Sequence, residues 1–105
     1  MSAFASSLSG LSAATWMVTV AAGNVANLNT AGYRARKVGF EADAEGGVRA
    51  QPLTKEGPDP GAEGSNVDLA SEMVSLRVGY TTFAANGAAL RTQQEILALA
   101  LDLKA

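Results

Sequence analysis

The chain has 105 residues, neither cysteine nor histidine, and a formal charge of −2. That length fits one domain at most. The composition excludes disulfides and thiol chemistry, leaves zinc without its usual ligands and removes the commonest general base. With no basic cluster of any size, nucleic acid is not an expected partner.

Residues 1 to 33 contain no Asp, Glu, Lys or Arg, yet they carry an apolar repeat at helical spacing: Phe4, Leu8, Leu11, Thr15, Val18, Ala22, Val25. The spacing predicts a helix over 3–28, about 39 Å long. A surface helix keeps a polar, usually charged face toward water, so a charge-free one expects to be surrounded. The stretch has no basic n-region and is diluted by Ser, Thr, Gly and Asn, unlike a secretory signal. It holds no run of ~18 continuous apolar residues. Asn29, Thr30, Ala31 and Gly32 should end the helix, because Asn and Gly tolerate the left-handed backbone of a C-cap. The cluster Asn24, Asn27 and Asn29 fits either backbone satisfaction in a fixed bend or a buried register device.

Residues 33–52 change period. Val38, Phe40 and Ala42 alternate with polar or small residues as a strand does, and Gly46-Gly47 would turn it into a hairpin with residues 48–51. Arg34, Arg36 and Lys37 form a short basic cluster that fits a solvated loop or, as the second choice, a specific acidic contact. Glu41, Asp43 and Glu45 form an acidic run that matches no full calcium loop. Residues 54–66 are rich in Pro and Gly and read as a loop or linker. The glycines there do not follow a strand and open a helix, as a phosphate loop must.

A second helix should open between Asn66 and Asp68, with Ser65, Asn66 and Asp68 as good caps and Asp68 and Glu72 complementing the helix dipole. Its apolar repeat runs Leu69, Met73, Leu76, Tyr80, Phe83, Gly87, Leu90, Gln94, Leu97, Leu101. It predicts a helix to about Leu103, some 54 Å long. Gly79 and Gly87 each cost about 1 kcal/mol against Ala in an exposed helix, so each marks a close approach or a bend.

The expected architecture is mainly α. It has an N-terminal helix (1–32), a short strand and loop segment (33–65) and a C-terminal helix (66–105), the helices pairing as a coiled-coil-like hairpin. The expected seam is Phe4, Leu8, Leu11, Val18 and Val25 against Leu69, Met73, Leu76, Phe83, Leu90, Leu97 and Leu101. One hairpin leaves too much apolar surface outside, including Trp16, Met17, Val20, Val74, Val78, Ile96 and Leu99. A homodimeric four-helix bundle is the plain solution. An open polymer suits a charge-free helix better, since a dimer still turns one face to water. No catalytic, metal or cofactor site stands out.

Two segments carry a resemblance. Residues 22–33, containing Asn24, Asn27, Leu28, Asn29, Thr30, Gly32 and Tyr33, resemble the N-terminal signature of bacterial flagellar axial proteins, the rod and hook components. In that family the helix ends in an Asn-Asn-Ile-Ala-Asn-Leu-Asn-Thr-Pro-Gly-Tyr type of motif. Residues 65–74, with Asn66, Val67, Asp68, Leu69 and Met73, are similar to the signature that opens the family's C-terminal helix, and Phe83, Ala85 and Asn86 continue it. The short middle is most like a proximal rod subunit. The resemblance implies paired terminal helices forming the inner tube of a helical assembly that carries torque and encloses an export channel. It implies a periplasmic rod location in the basal body and type III export without a cleaved signal. Implied partners are copies of the chain and other rod proteins, with the inner-membrane ring or export gate as further contacts. No enzyme activity, cofactor or small-molecule substrate is implied. The competing reading is a small dimeric helical adaptor for flagellar components, which would want a solvated face on the first helix. The chain departs from the family pattern at Gly23, at Ala31, where Pro is usual, and across Gly79–Phe83.

Overall fold

The computed structural model describes residues 2–104. Helix α1 spans Ala3–Ala26 and α2 spans Leu69–Lys104. Between them lie β1 (Arg36–Lys37), β2 (Phe40–Ala42), β3 (Val48–Ala50) and β4 (Thr54–Lys55). The mainly α architecture with a hairpin in its middle is the one the sequence predicts.

Ser2 caps α1: its hydroxyl accepts from the Ala5 amide at 3.1 Å, satisfying one of the orphan N–H groups of the first turn. The helix stops at Ala26, two residues short of the predicted end. Asn27 is its C-cap, with its side-chain amide donating to the Gly23 carbonyl at 2.8 Å. This side chain and the Thr30 hydroxyl, which bonds Asn27 Oδ1 at 3.1 Å, offer local bonds in place of helix continuation. Helix α2 opens later than predicted, at Leu69. Asp68 caps it, accepting from the Ala70 and Ser71 amides at 3.1 and 3.3 Å.

The predicted hairpin is present as β2 and β3, antiparallel, with Phe40 opposite Ala50 and Ala42 opposite Val48. Its tip has Gly46 and Gly47 at φ +99° and +86°, backbone that only glycine adopts without strain. Asp43 organises that tip, its carboxylate accepting from the Glu45 amide at 3.2 Å. The ribbon extends further than predicted. β1 pairs with β4, Arg36 opposite Lys55, so the segment read as a linker from residue 54 begins as a strand. Nor is the rest of that segment loose. The Glu56 amide bonds the Ala35 carbonyl at 2.7 Å, and Arg34 donates through Nε and Nη2 to the Gly57 carbonyl. Arg34, expected in a solvated loop, therefore closes one. Pro and Gly density signals irregular backbone, but it does not report the tertiary bonds that hold such backbone in place.

The helices run antiparallel. Asn24 meets Glu72, Gly79 meets Ala14 and Val18, Gly10 meets Asn86, and Ser7 meets Gln93. β3 lies against α1, where the Val48 amide donates to the Ser9 hydroxyl at 3.1 Å. The molecule is a rod of 67 × 24 × 14 Å with a radius of gyration of 18.0 Å, against about 13 Å for a compact globule of this length. With Ser7 level with Gln93, α2 runs past the first turn of α1 from about Leu97 onward.

The seam within the hairpin differs from the predicted one in phase. The buried residues of α1 are Ser7, Gly10, Ala14, Ala21 and Asn24, and on α2 they are Glu72 and Gly79. Steps of three and four are retained, but the stripe is rotated by one residue. Of the predicted seam, Phe4, Leu8, Leu69, Met73, Phe83, Leu97 and Leu101 are exposed, while Leu11, Val18, Val25, Leu76 and Leu90 are half-buried. The physical reason is closeness. A Cβ on Gly79 would lie 2.6 Å from Val18 Cγ2, and one on Gly10 would collide with the Asn86 amide. Helices this near have no room for leucines between them, so small residues take the inner stripe and large ones point out.

Candidate assembly surfaces and the polar elbow

Two features distinguish the molecule chemically: an outward apolar coat and one buried polar knot. Among the described residues the buried apolar side chains are Ala14, Ala21 and Ala35. By contrast Phe4, Trp16, Met73, Tyr80, Phe83, Ile96, Leu97, Leu99, Leu101 and Leu103 are all more than two-fifths exposed. Beyond α1, the residues Leu97, Leu99, Leu101 and Leu103 recur every second position. On a helix that spacing sets the leucines on two opposite faces, the pattern of a helix with neighbours on both sides. On the α2 flank, Met73, Leu76, Arg77, Tyr80, Thr81 and Ala84 line a shallow, mostly apolar groove of about 600 Å³. A second groove lies between the helices, walled by Ala14, Val18, Tyr80 and Phe83. Helix α1 is also long and apolar enough to cross a membrane: its best 18-residue window averages a hydropathy of 1.2 although it has no continuous apolar run.

The knot sits where α1, β1 and the start of α2 converge. Asn24 is 1% exposed and spends its whole hydrogen-bonding capacity there. Its amide donates to the Arg36 carbonyl and to Glu72 Oε1, both at 2.9 Å. Its carbonyl oxygen accepts from the Tyr33 hydroxyl and the Arg36 amide, again at 2.9 Å. A side chain with two donors and two lone pairs is thus saturated. Burial holds the Glu72 carboxyl above its ordinary 4.5; the Asn24 amide works against that rise, and the charges of Glu56 and Asp68 add to it.

The remaining motif residues surround this knot. Gly32 has φ +72°, and its amide donates to the Gly64 carbonyl at 2.8 Å. The Leu28 carbonyl accepts from the Ser65 hydroxyl at 2.5 Å. Asn66, predicted among the caps of α2, instead clamps the loop. Its Oδ1 accepts from the Ala35 amide at 2.6 Å, and its amide donates to the Glu56 and Pro58 carbonyls at 2.6 and 2.9 Å. Half-buried Val67 follows it, with its amide donating to the Ser65 hydroxyl at 3.4 Å. Asn29 is exposed. The structure therefore joins Asn24, Asn27, Leu28, Thr30, Gly32, Tyr33 and Asn66 into one elbow, and it leaves Leu8, Leu69, Leu97, Leu99, Leu101 and Leu103 exposed on the helices.

Glu72 was visible in the sequence only as a charge complementing the helix dipole. Its place in the stripe with Gly79, Asn86 and Gln93, each seven residues on, is the signal that a search for polar as well as apolar heptads would find. Among the described residues no cluster of three acidic side chains could hold a metal ion.

Two family models match the chain. Residues 4–34 match the model described as Flagella basal body rod protein. Residues 62–103 match Flagellar basal body rod FlgEFG protein C-terminal. Together the matches take in all of the elbow except the strands, and nearly the whole of both helices. No curated protein matches the chain.

Proposed function

Because the chain belongs to the flagellar basal body rod family, we propose that it is a structural subunit which completes its core only by packing against neighbouring rod subunits. The observation that carries this reading is the inversion of its helices, with alanines inside and leucines and aromatics outside. Fully burying one such side chain contributes about 1.5–3 kcal/mol, and the hairpin alone leaves most of that unrealised. Each chain meets copies of itself and other rod proteins through Phe4, Leu8, Met73, Phe83, Leu97 and Leu101. The paired helices form the wall of a tube that transmits torque and encloses the export channel. The role is mechanical and not enzymatic. The subunit resides in the periplasmic rod, reached by type III export without a cleaved signal.

The test is Leu97→Asp, placed where α2 extends past α1. A charge there costs the isolated hairpin little, because the site is 61% exposed. Enclosed by a neighbour, the same charge costs several kcal/mol. The variant should be expressed normally, yet be missing from purified basal bodies and leave the cells non-motile. Wild-type incorporation of Leu97→Asp would overturn the reading.

A further inference from the structure

Glu72 is 9% exposed. Its Oε1 accepts from the Asn24 amide at 2.9 Å, and neither ion pair among the described residues involves its carboxylate. Glu72 lines a cleft of about 240 Å³, together with Met17, Val20 and Phe40 and with Ser71 and Ser75. No cation approaches within ion-pair distance: the ion pairs among the described residues are Lys37–Glu56 at 3.7 Å and Arg49–Glu41 at 3.6 Å. Arg36 and Lys37 also line the cleft, but the ammonium of Lys37 pairs with Glu56 and Arg36 is in no ion pair among the described residues. Glu56 and Asp68 add negative charge near Glu72. A buried carboxylate without a counter-charge is a costly feature, and burial of a partnered one is far less so.

We infer that this cleft is a socket for an arginine side chain from an adjacent copy of the chain. The inference rests on the rod-subunit reading and specifies one of its contacts. The chemistry of the cleft matches an arginine from end to end. Its apolar walls suit the methylene stem, the serine hydroxyls suit the edge of the head, and the Glu72 carboxylate in the lining is the acceptor. The chain carries the complementary groups. Arg77 and Arg91 lie exposed on α2, and neither is in an ion pair among the described residues. A contact between one face of a copy and a different face of the next is heterologous and builds an open helical polymer instead of a closed dimer.

The experiment measures the concentration for half-assembly of the purified full chain by sedimentation, with circular dichroism as a folding control. Glu72→Gln keeps the acceptor for Asn24 and removes the charge. It should leave the free chain at least as helical and raise the half-assembly concentration about tenfold. The double variant Arg77→Gln/Arg91→Gln should do the same. The combined triple variant should be no worse than either, because both sets of changes remove one shared contact. The proposal is overturned if Glu72→Gln or the double arginine variant assembles as wild type, or if their effects add. It is equally overturned if Arg36→Gln reproduces the loss, which would put the counter-charge in the same chain, or if the wild-type chain does not self-associate at any soluble concentration. The rod reading fails on a different observation, the absence of the wild-type chain from basal bodies.

Discussion

Gly79 and Gly87 lie eight residues apart on the same helix, and replacing each by alanine should move stability in opposite directions. In a helix interior, Gly→Ala gains about 1 kcal/mol from reduced backbone freedom in the unfolded chain. At Gly87 nothing lies within 4 Å of the added Cβ, so the gain is kept. At Gly79 the Cβ would sit 2.6 Å from Val18 Cγ2, with the Ala14 carbonyl and the Val18 amide at 3.5 Å. The backbone contacts are ordinary, but the methyl of Val18 must move. Val18 is β-branched with one strongly preferred rotamer in a helix, so it yields only by leaving that rotamer or by parting the helices. Overpacking of this kind costs about 1–3 kcal/mol, which exceeds the propensity gain. Thermal melts followed at 222 nm, all at one fixed protein concentration, should place Gly87→Ala above wild type by about 4–8 °C and Gly79→Ala below it. If Gly79→Ala melts as high as Gly87→Ala, the helices do not approach as closely as described.

Asn24→Ala removes four hydrogen bonds and leaves Glu72, the Tyr33 hydroxyl and both backbone groups of Arg36 without partners. A loss of about 3 kcal/mol or more, read by chemical denaturation, is expected, and a near-neutral effect would contradict the knot. Glu72 is raised above its ordinary 4.5 in the folded chain. Its stabilising contribution is therefore complete below that value and is lost as pH rises through the folded pKa. Relative to Glu72→Gln, the wild-type free chain should weaken as pH climbs from about 4.5; parallel stability–pH curves would deny the shift. Gly32, at φ +72°, should tolerate a β-branched residue poorly, so Gly32→Val costs about 1–2 kcal/mol of strain. Ala31→Pro should be tolerated, since the Ala31 amide enters no backbone bond among the turn contacts of the described residues. Basal-body co-purification should separate the two variants, and equal behaviour would refute the geometry of the bend.

Much of the architecture was legible because it rests on local physics. Helical periodicity located both long helices, and Gly46-Gly47 located the hairpin turn. Asp68 was recognisable as a cap from its residue type alone. The phase of the seam was not legible, because apolarity marks what must be covered and not what covers it. Leu8 and Phe83 are large because they face outward to something else, while Ser7, Gly10, Ala14 and Gly79 are small because a helix lies on them. The roles of Asn66 and Arg34 were equally hidden. Asn66 holds the loop through backbone carbonyls 8 and 10 positions away and Arg34 through one 23 positions away, and no short-range pattern encodes such bonds.

The central claim is that the core of this chain is completed by its neighbours. It is tested most directly by helical content at 222 nm measured against protein concentration, with light scattering on the same samples. At dilution the wild-type chain should display far less helix than the 24 and 36 residues of α1 and α2, because helices without packing are marginal in water. The signal should rise together with the scattering mass as concentration increases. A dilute monomer with full helix and a sharp melt independent of concentration would contradict the account.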